Sequence, residues 1–198
     1  MKTLLKAKRL TVQSIFVCTF LLCNSVIAEA QLTLAQSEIL VIADSIVDSK
    51  DTRFLEHSAE ISLREIKRGE YAQNNSKNTE VIALGKMMSQ AHASSLKRLN
   101  VLAGKKLVLV PGALNGEDQT DFNSLSTKEG KEFDMEYCDM IIDEHEKAIV
   151  VYSKIIEDTE DAEVLEFATS ELSVLRSHLA MAEKCQKNCE KEGINKGK

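Results

Sequence analysis

Helix-breaking residues are scarce in this chain of 198 residues, which has a single proline, Pro111, and eight glycines. Tryptophan is absent, and aromatic residues make up only 5% of the sequence. Apart from the short segment 105–111 (KKLVLVP), no stretch shows strand character. These absences exclude a β-rich fold and favour an all-α protein.

Motifs of common enzyme classes are also missing. There is no Gly-x-Ser-x-Gly nucleophile elbow and no glycine-rich phosphate-binding loop. The chain has 25 basic and 31 acidic residues, so it lacks the basic surplus that nucleic acids and anionic membrane surfaces attract. We therefore expect no nucleic-acid partner, and an enzyme is the less favoured interpretation.

Residues 1–30 have the features of an export signal. A basic start precedes an apolar run, and Ala28-Glu29-Ala30 forms the small-x-small site that signal peptidase needs. We predict cleavage before Gln31 and a periplasmic or secreted protein with no membrane span left. An uncleaved membrane anchor is the alternative, because the apolar run is near the length that spans a bilayer. Cleavage removes four basic residues and one acidic residue, which leaves 21 against 30 and a net charge of −9.

Apolar residues recur at spacings of three and four along the rest of the chain, which is typical of amphipathic helices. Asp51 or Thr52 is the predicted N-cap of the second helix, while Gly104 and Gly193 mark the ends of the third and fifth. The predicted helices cover about 34–47, 51–73, 79–103, 131–158 and 162–192, with a short helix at 120–125 inside the connection 105–129.

Two short turns and one long connection join the four long helices. This order predicts a ferritin-like four-helix bundle, with the N-terminal helix packed as an addition. The connection is long enough to run the length of the bundle between the two helical hairpins. We expect a single domain over residues 31–193 and a disordered tail at 194–198.

Three of the four histidines, His92, His145 and His178, interrupt or flank apolar stripes. If the hairpins turn near residues 75 and 160, His57 lies level with His92, and His145 lies level with His178. Each then lies roughly 21–27 Å from its turn, in the middle of the bundle. Glu65 lies roughly 9 Å from that level and is the less favoured ligand. His57, which is flanked by acidic residues, is predicted to face solvent.

Imidazoles from several helices in the middle of a bundle are what a metal site requires. Iron, zinc and manganese are the candidate metals. The Glu-x-x-His pairs of di-iron bundles are absent from every helix, which argues against ferroxidase chemistry. Histidines that hydrogen-bond across the core are the favoured alternative, since buried polar groups need partners whether or not a metal binds.

Three cysteines remain after cleavage, which is an odd number for an oxidising compartment. Cys138 and Cys185 lie level with each other by the reasoning that pairs His145 with His178, so we predict a disulfide between them. Cys189 is the alternative partner. A bridge between Cys185 and Cys189, four residues apart in one helix, is geometrically poor.

Several short patterns occur in a fixed order along the helices. They are Glu65-Ile66 with Gly69 and Ala72, His92 followed by Leu96 and Leu99, Phe133-Asp134-x-x-Tyr137 with His145, and Leu175-x-x-His178-Leu179. In this combination the chain resembles the bacterial domain-of-unknown-function 4142 family over residues 36–185. The resemblance implies an exported ferritin-like bundle and no established reaction. The family often has an Asp before the third-helix histidine, where this chain has Ala91.

Two functions from different classes fit these patterns. The first is a non-enzymatic periplasmic or envelope-associated protein that binds a partner or supports stress tolerance. The second is a metal-binding bundle, for storage, buffering or redox chemistry, that uses the mid-bundle histidines. The sequence leaves open the protein partner and a homo-oligomeric state.

Overall fold

A computed structural model describes residues 49–195 of the protein, with side chains up to residue 191. Five helices occupy this range, and no strand occurs within it, which confirms the all-α prediction. The helices are α1 (Lys50–Asn75), α2 (Thr79–Lys105), α3 (Gly116–Ser126), α4 (Gly130–Asp158) and α5 (Ala162–Asn195). None of them is long and apolar enough to cross a membrane.

Some predictions concern residues outside the described range. The export signal with Ala28, Ala30 and Gln31, the helix at 34–47 and the last three residues, 196–198, all lie there. At the other boundary, α5 continues past Gly193 to Asn195 and so includes the first two residues of the predicted tail.

The start of α1 differs from the prediction by one or two residues. Ser49, not Asp51 or Thr52, is the N-cap, and its Oγ accepts a hydrogen bond from the backbone N–H of Thr52 at 3.0 Å. Serine caps a helix as well as aspartate does. The two later candidates therefore lie inside the first turn of α1.

The end of α2 also differs from the prediction, because Gly104 lies inside the helix. Leu107 instead adopts the left-handed conformation, with φ of 58°. The N–H of Val108 donates to the carbonyl of Ala103 at 2.9 Å, and the N–H of Leu107 donates to that of Gly104 at 3.3 Å. This pair of bonds is a Schellman motif, in which glycine is the usual left-handed residue.

Contacts between α1 and α4 show that these helices are antiparallel. The ring of Phe54, near the start of α1, lies 4.8 Å from the ring of Tyr152, near the end of α4. At the other end, the hydroxyl of Ser76 donates to the carboxylate of Asp134 at 2.5 Å. Since α2 folds back on α1, α2 and α4 run in the same direction.

Helices α2 and α5 are antiparallel as well. Lys105 Nζ lies 2.6 Å from the carboxylate of Glu163, and the amide of Asn188 donates to Glu80 at 2.8 Å. The end of α2 and the start of α4 are therefore at opposite ends of the bundle, and residues 106–129 connect them lengthwise. This connection was predicted. The classification as ferritin-like, beyond a helical bundle, stays a prediction.

Two glycines allow α1 and α2 to approach closely. A Cβ atom added to Gly69 would lie 2.6 Å from the carbonyl oxygen of Gly85 and 2.9 Å from the amide nitrogen of Ser89. A Cβ on Gly85 would lie 2.7 Å from the carbonyl oxygen of Gly69. Side chains at these positions would push the two backbones apart, so the glycines fix how α1 and α2 align.

The apolar interior divides into two clusters along the bundle. The first core, at the end with the α4–α5 turn, includes Phe54, Leu99, Tyr152 and Phe167. The second core, at the end with the α1–α2 turn, includes Val81, Phe133, Tyr137 and the three cysteines of the described chain. Between them lies a layer of buried polar side chains: Glu65, His92, His145 and His178. Each of the four long helices contributes one residue to this layer.

Candidate metal centre

The three mid-bundle histidines meet in the polar layer. His92 of α2, His145 of α4 and His178 of α5 have exposures of 5%, 1% and 4%. Their ring centroids lie 5.4–5.6 Å apart, and one ring nitrogen from each lies within 4.8 Å of the other two. We call this set the histidine triad. Its formation confirms that His145 and His178 lie level with each other.

Hydrogen bonds orient two of the three imidazoles. His145 Nδ1 lies 2.8 Å from the carbonyl oxygen of Ile141, and a carbonyl only accepts, so this nitrogen holds the proton. The lone pair of His145 is then on Nε2, which lies 3.3 Å from His178 Nδ1. A backbone carbonyl that fixes the tautomer of a histidine in this way is the usual support of a metal ligand.

The third imidazole is not satisfied by the described protein atoms. His92 Nε2 is buried and has no hydrogen-bond partner among the described residues. A buried polar atom without a partner is costly and rare in native proteins. Hydrogen bonding across the core therefore accounts for His145 and His178 and leaves His92 unexplained.

All three imidazoles are neutral near pH 7. Burial lowers the pKa of His145 to about 4, and burial together with the neighbouring His145 lowers that of His178 to about 4. The pKa of His92 is also well below its ordinary value, first because of burial and then because of the other two histidines. A neutral imidazole keeps a free lone pair, which is the form that binds a metal ion.

Glu65 lies at the level of the histidine triad, which corrects the sequence-based estimate of a 9 Å offset. Because Gly69 lies beside Gly85 and Ser89, counting along the antiparallel helices places His92 opposite residues 62–66 of α1. His57 is at least about 7 Å further along the helix. The estimate was wrong because α1 continues through Asn75, so the turn is centred near residue 77 instead of 75.

The carboxylate of Glu65 is fully buried, and neither oxygen has a hydrogen-bond partner among the described residues. It does not belong to the group of donor atoms that lie within 4.8 Å of one another. Burial raises its pKa well above the ordinary value, and the nearby Glu144 carboxylate raises it further, although Arg68 opposes the shift. The raised pKa favours the protonated form of Glu65, and ligation by it stays a prediction.

A partly buried ion-pair network that sequence analysis missed lies next to Glu65. Glu144 of α4 contacts Arg64 at 2.6 Å and Arg68 at 3.3 Å, and Arg64 also contacts Asp118 of α3 at 3.1 Å. The sequence did contain a signal, since Arg64 and Arg68 are one turn apart on the same face of α1. This network anchors α3, and with it the long connection, to the bundle.

The three cysteines of the described chain meet in the second core. Their sulfur atoms lie within 4.8 Å of one another, and Cys138 Sγ lies 3.6 Å from Cys185 Sγ. All three are free thiols in this structure. Cys138 and Cys185 are therefore close enough to become linked, while the predicted disulfide itself stays a prediction. We call Cys138, Cys185 and Cys189 the thiol cluster.

His57 is separate from both groups. Its side chain is 43% exposed, and its Nδ1 lies 3.4 Å from the carboxylate of Glu60. This confirms that it faces solvent. It also provides a surface histidine against which substitutions of the buried ones can be compared.

Comparison with known families matches residues 41–185 to the family described as "Domain of unknown function (DUF4142)". The chain belongs to this family. The match covers most of α1–α5 and confirms the resemblance seen in the sequence. A comparison with proteins of curated function finds no match.

Solved structures with the same fold are distant in sequence. A DUF305 fragment from Deinococcus radiodurans is 12% identical to this chain, with a TM-score of 0.64. The alignment covers 71% of this chain and 97% of the fragment. A DUF305 protein from Streptomyces coelicolor, provisionally described as secreted, is 12% identical to this chain, with a TM-score of 0.63. The alignment covers 73% of this chain and 94% of the Streptomyces protein. CopM in its Cu(II)-bound form is 17% identical to this chain, with a TM-score of 0.60. The alignment covers 70% of this chain and 96% of CopM. At these identities the likeness concerns the fold alone.

Proposed function

We propose that this DUF4142 protein is a non-enzymatic metal-binding protein of the bacterial envelope, and that the histidine triad holds one transition-metal ion. The observation that carries the proposal is the convergence of three buried, neutral imidazoles from three helices, with His92 Nε2 left without a partner. A metal ion would satisfy that nitrogen together with the two that face each other.

The spacing of the triad supports metal binding. Two imidazole nitrogens at 2.0–2.1 Å from one tetrahedral metal ion are about 3.3 Å apart. His145 Nε2 and His178 Nδ1 are 3.3 Å apart, and His92 requires only a small shift to complete a set of three.

The donor set narrows the choice of metal. Imidazole suits zinc, copper, iron and nickel, whereas manganese favours carboxylates and water. Of the metals that the sequence suggested, zinc and iron are therefore better supported than manganese. Copper joins them, because the CopM structure of the same fold is Cu(II)-bound. A singly charged Cu(I) ion would also be cheaper than a doubly charged ion to bury among neutral ligands.

The burial of the triad favours storage or buffering over catalysis. Catalytic metal sites keep one coordination position open to substrate. Here each histidine is at most 5% exposed, so an ion would be enclosed by protein. Export through the predicted signal would place such a buffer in the envelope.

The test is metal analysis of the exported protein, purified without a histidine tag and reconstituted with copper, zinc or iron. We expect about one ion per chain, which is lost in His92→Ala, His145→Ala and His178→Ala and kept in the surface control His57→Ala. His→Gln variants with wild-type circular dichroism would separate loss of ligand from loss of fold. Chelation should lower the melting temperature, since an ion bound only by the folded state stabilises it by about 2.7 kcal/mol at a hundredfold excess over Kd.

A protein that cannot be reconstituted, and whose melting does not respond to chelators, would refute the proposal. The three histidines would then be core hydrogen-bonding groups. In that case each alanine substitution should destabilise the fold by roughly 1–3 kcal/mol with no dependence on metal.

A further inference from the structure

The sulfur-containing side chains of the described chain are concentrated at one end of the bundle. Cys138, Cys185, Cys189 and Met88 are buried in the second core. Met87, Met135 and Met140 pack against it, and Met181 shares a surface pocket with Cys185. These are all eight sulfur-containing residues in the range 49–191. They lie in or beside the second core, and none belongs to the first core.

The thiol cluster has the dimensions of a metal site. Two sulfur ligands at about 2.3 Å from one ion are roughly 3.8 Å apart. Cys138 Sγ and Cys185 Sγ are 3.6 Å apart, and Cys189 Sγ completes a set within 4.8 Å. The three residues are 0%, 4% and 3% exposed. The side-chain amide of Asn78 donates to Cys189 Sγ at 3.5 Å, and such a donor stabilises the charge of a thiolate.

A disulfide would use only two of these sulfurs. It would leave the third thiol buried beside the bridge, whereas a metal ion would use all three. Burial raises the pKa of Cys189 to about 12, and a hydrogen bond with Cys185 raises that of Cys138. The same hydrogen bond lowers the pKa of Cys185, so Cys138 and Cys189 are the thiols whose protons an ion must displace when it binds.

The surroundings of the cluster indicate which ion it would accept. A surface pocket of about 320 Å³ borders Cys185, and its other lining residues are Met87, Met181, Ala83, Leu84, Glu80 and Lys184. Thioether sulfur binds Cu(I) and is not a usual zinc ligand. Two thioethers beside the Cys185 thiol therefore favour Cu(I) over zinc.

We propose that the thiol cluster is a second, sulfur-based metal site that binds one Cu(I) ion, which enters through the pocket at Met87 and Met181. Each thiolate that forms releases one proton to solvent, copper remains in the +1 state, and no electron is transferred. Each of Cys138 and Cys185 is seven residues from the triad histidine of its helix, or about 10 Å along the axis. The site is therefore separate from the histidine triad and does not depend on it.

The test is anaerobic titration of reduced, metal-free protein with Cu(I) in competition with a Cu(I)-specific chromogenic chelator. Substitution of both His92 and His145 by Gln leaves a single triad imidazole and so removes the contribution of the triad. We expect this background to retain one tightly bound Cu(I) with thiolate-to-copper absorption in the near ultraviolet. Adding Cys138→Ser, Cys185→Ser or Cys189→Ser should abolish it. Met181→Leu should slow loading and leave the capacity unchanged, whereas Met135→Leu, which lies outside the pocket, should change neither.

X-ray absorption of the one-equivalent Cu(I) complex of the same background gives a readout that is independent of how the serine variants fold. Sulfur neighbours around copper support the proposal, and nitrogen or oxygen neighbours alone would overturn it. Binding of Zn²⁺ in place of Cu(I) at the cysteines would overturn it too. If the wild-type protein binds no metal at the histidine triad but still shows the thiolate-to-copper absorption, the proposed function is refuted and the proposal of a second site is supported. Because the bridge uses the same sulfurs, peptide mapping should find Cys138 linked to Cys185 only in oxidised, copper-free protein.

Discussion

Replacing Gly69 by alanine tests the alignment of α1 and α2, on which the geometry of the polar layer depends. The added Cβ would lie 2.6 Å from the Gly85 carbonyl oxygen and 2.9 Å from the Ser89 amide nitrogen. Both contacts are with helix backbone, which cannot rotate away, so the helices must separate. Overpacking of this kind costs roughly 2–3 kcal/mol. The better helix propensity of alanine returns about 1 kcal/mol, so we expect a net loss of about 1–2 kcal/mol.

Chemical denaturation followed by far-ultraviolet circular dichroism measures this loss in the free energy of unfolding. In thermal unfolding the same loss should lower the melting temperature by roughly 2–8 °C. Gly104→Ala is the matched control, because Gly104 also lies inside α2 and a Cβ there would contact nothing within 4 Å. It should be neutral or stabilising by up to about 1 kcal/mol. If Gly69→Ala were as stable as Gly104→Ala, the close approach of the two helices would be refuted, and with it the placement of Glu65 opposite His92.

Three further predictions concern titration and processing. The pKa values of His145 and His178 are about 4 in the folded protein and 6.5 in the unfolded chain, so the unfolded state binds more protons. The metal-free protein should therefore lose stability as the pH falls from 6.5 to 4, by roughly 3 kcal/mol for each histidine. Flat pH-dependent denaturation curves of the Glu65→Gln variant, which lacks the opposing titration of Glu65, would contradict this. The raised pKa of Glu65 has the opposite effect, since stability falls as the pH rises above 4.5; Glu65→Gln should remove that fall and match or exceed the wild-type denaturation midpoint at neutral pH. The mature protein should begin at Gln31, and mass spectrometry that finds an intact Met1 start in membranes would show an uncleaved anchor instead.

Much of the fold follows from local patterns that a sequence displays directly. Apolar residues at spacings of three and four predicted the four long helices, and the length of the connection predicted that it runs along the bundle. The pairing of His145 with His178 was also predictable, because the turn at 159–161 is short and the count of residues on each side of it is well defined. Caps were less predictable, since Ser49, Asp51 and Thr52 are all good N-cap residues and local sequence does not choose among them.

The alignment of α1 and α2 was not predictable to the required accuracy. Two residues of extra helix at the end of α1 shift the turn centre from about 75 to about 77, which changes the residue opposite His92 from 58 to 62. Four residues are about 6 Å along a helix, enough to exchange His57 for Glu65 as the residue at the level of the histidine triad. The approach of Gly69 to Gly85 fixes this alignment, and it depends on tertiary contact between two backbones. No periodicity within either helix reports it.

The polar layer and the thiol cluster together suggest why the interior is divided as it is. A continuous apolar core would be more stable than one interrupted by three imidazoles, a buried carboxyl and a partly buried ion-pair network, because buried polar groups contribute little even when paired. The chain nevertheless places one such residue from each long helix at a single level. It also collects the sulfur atoms of its described residues on one side of that level. Packing alone gives no reason for either arrangement. The two proposed metal sites, with imidazole ligands at the middle of the bundle and thiolate ligands toward its end, would account for both.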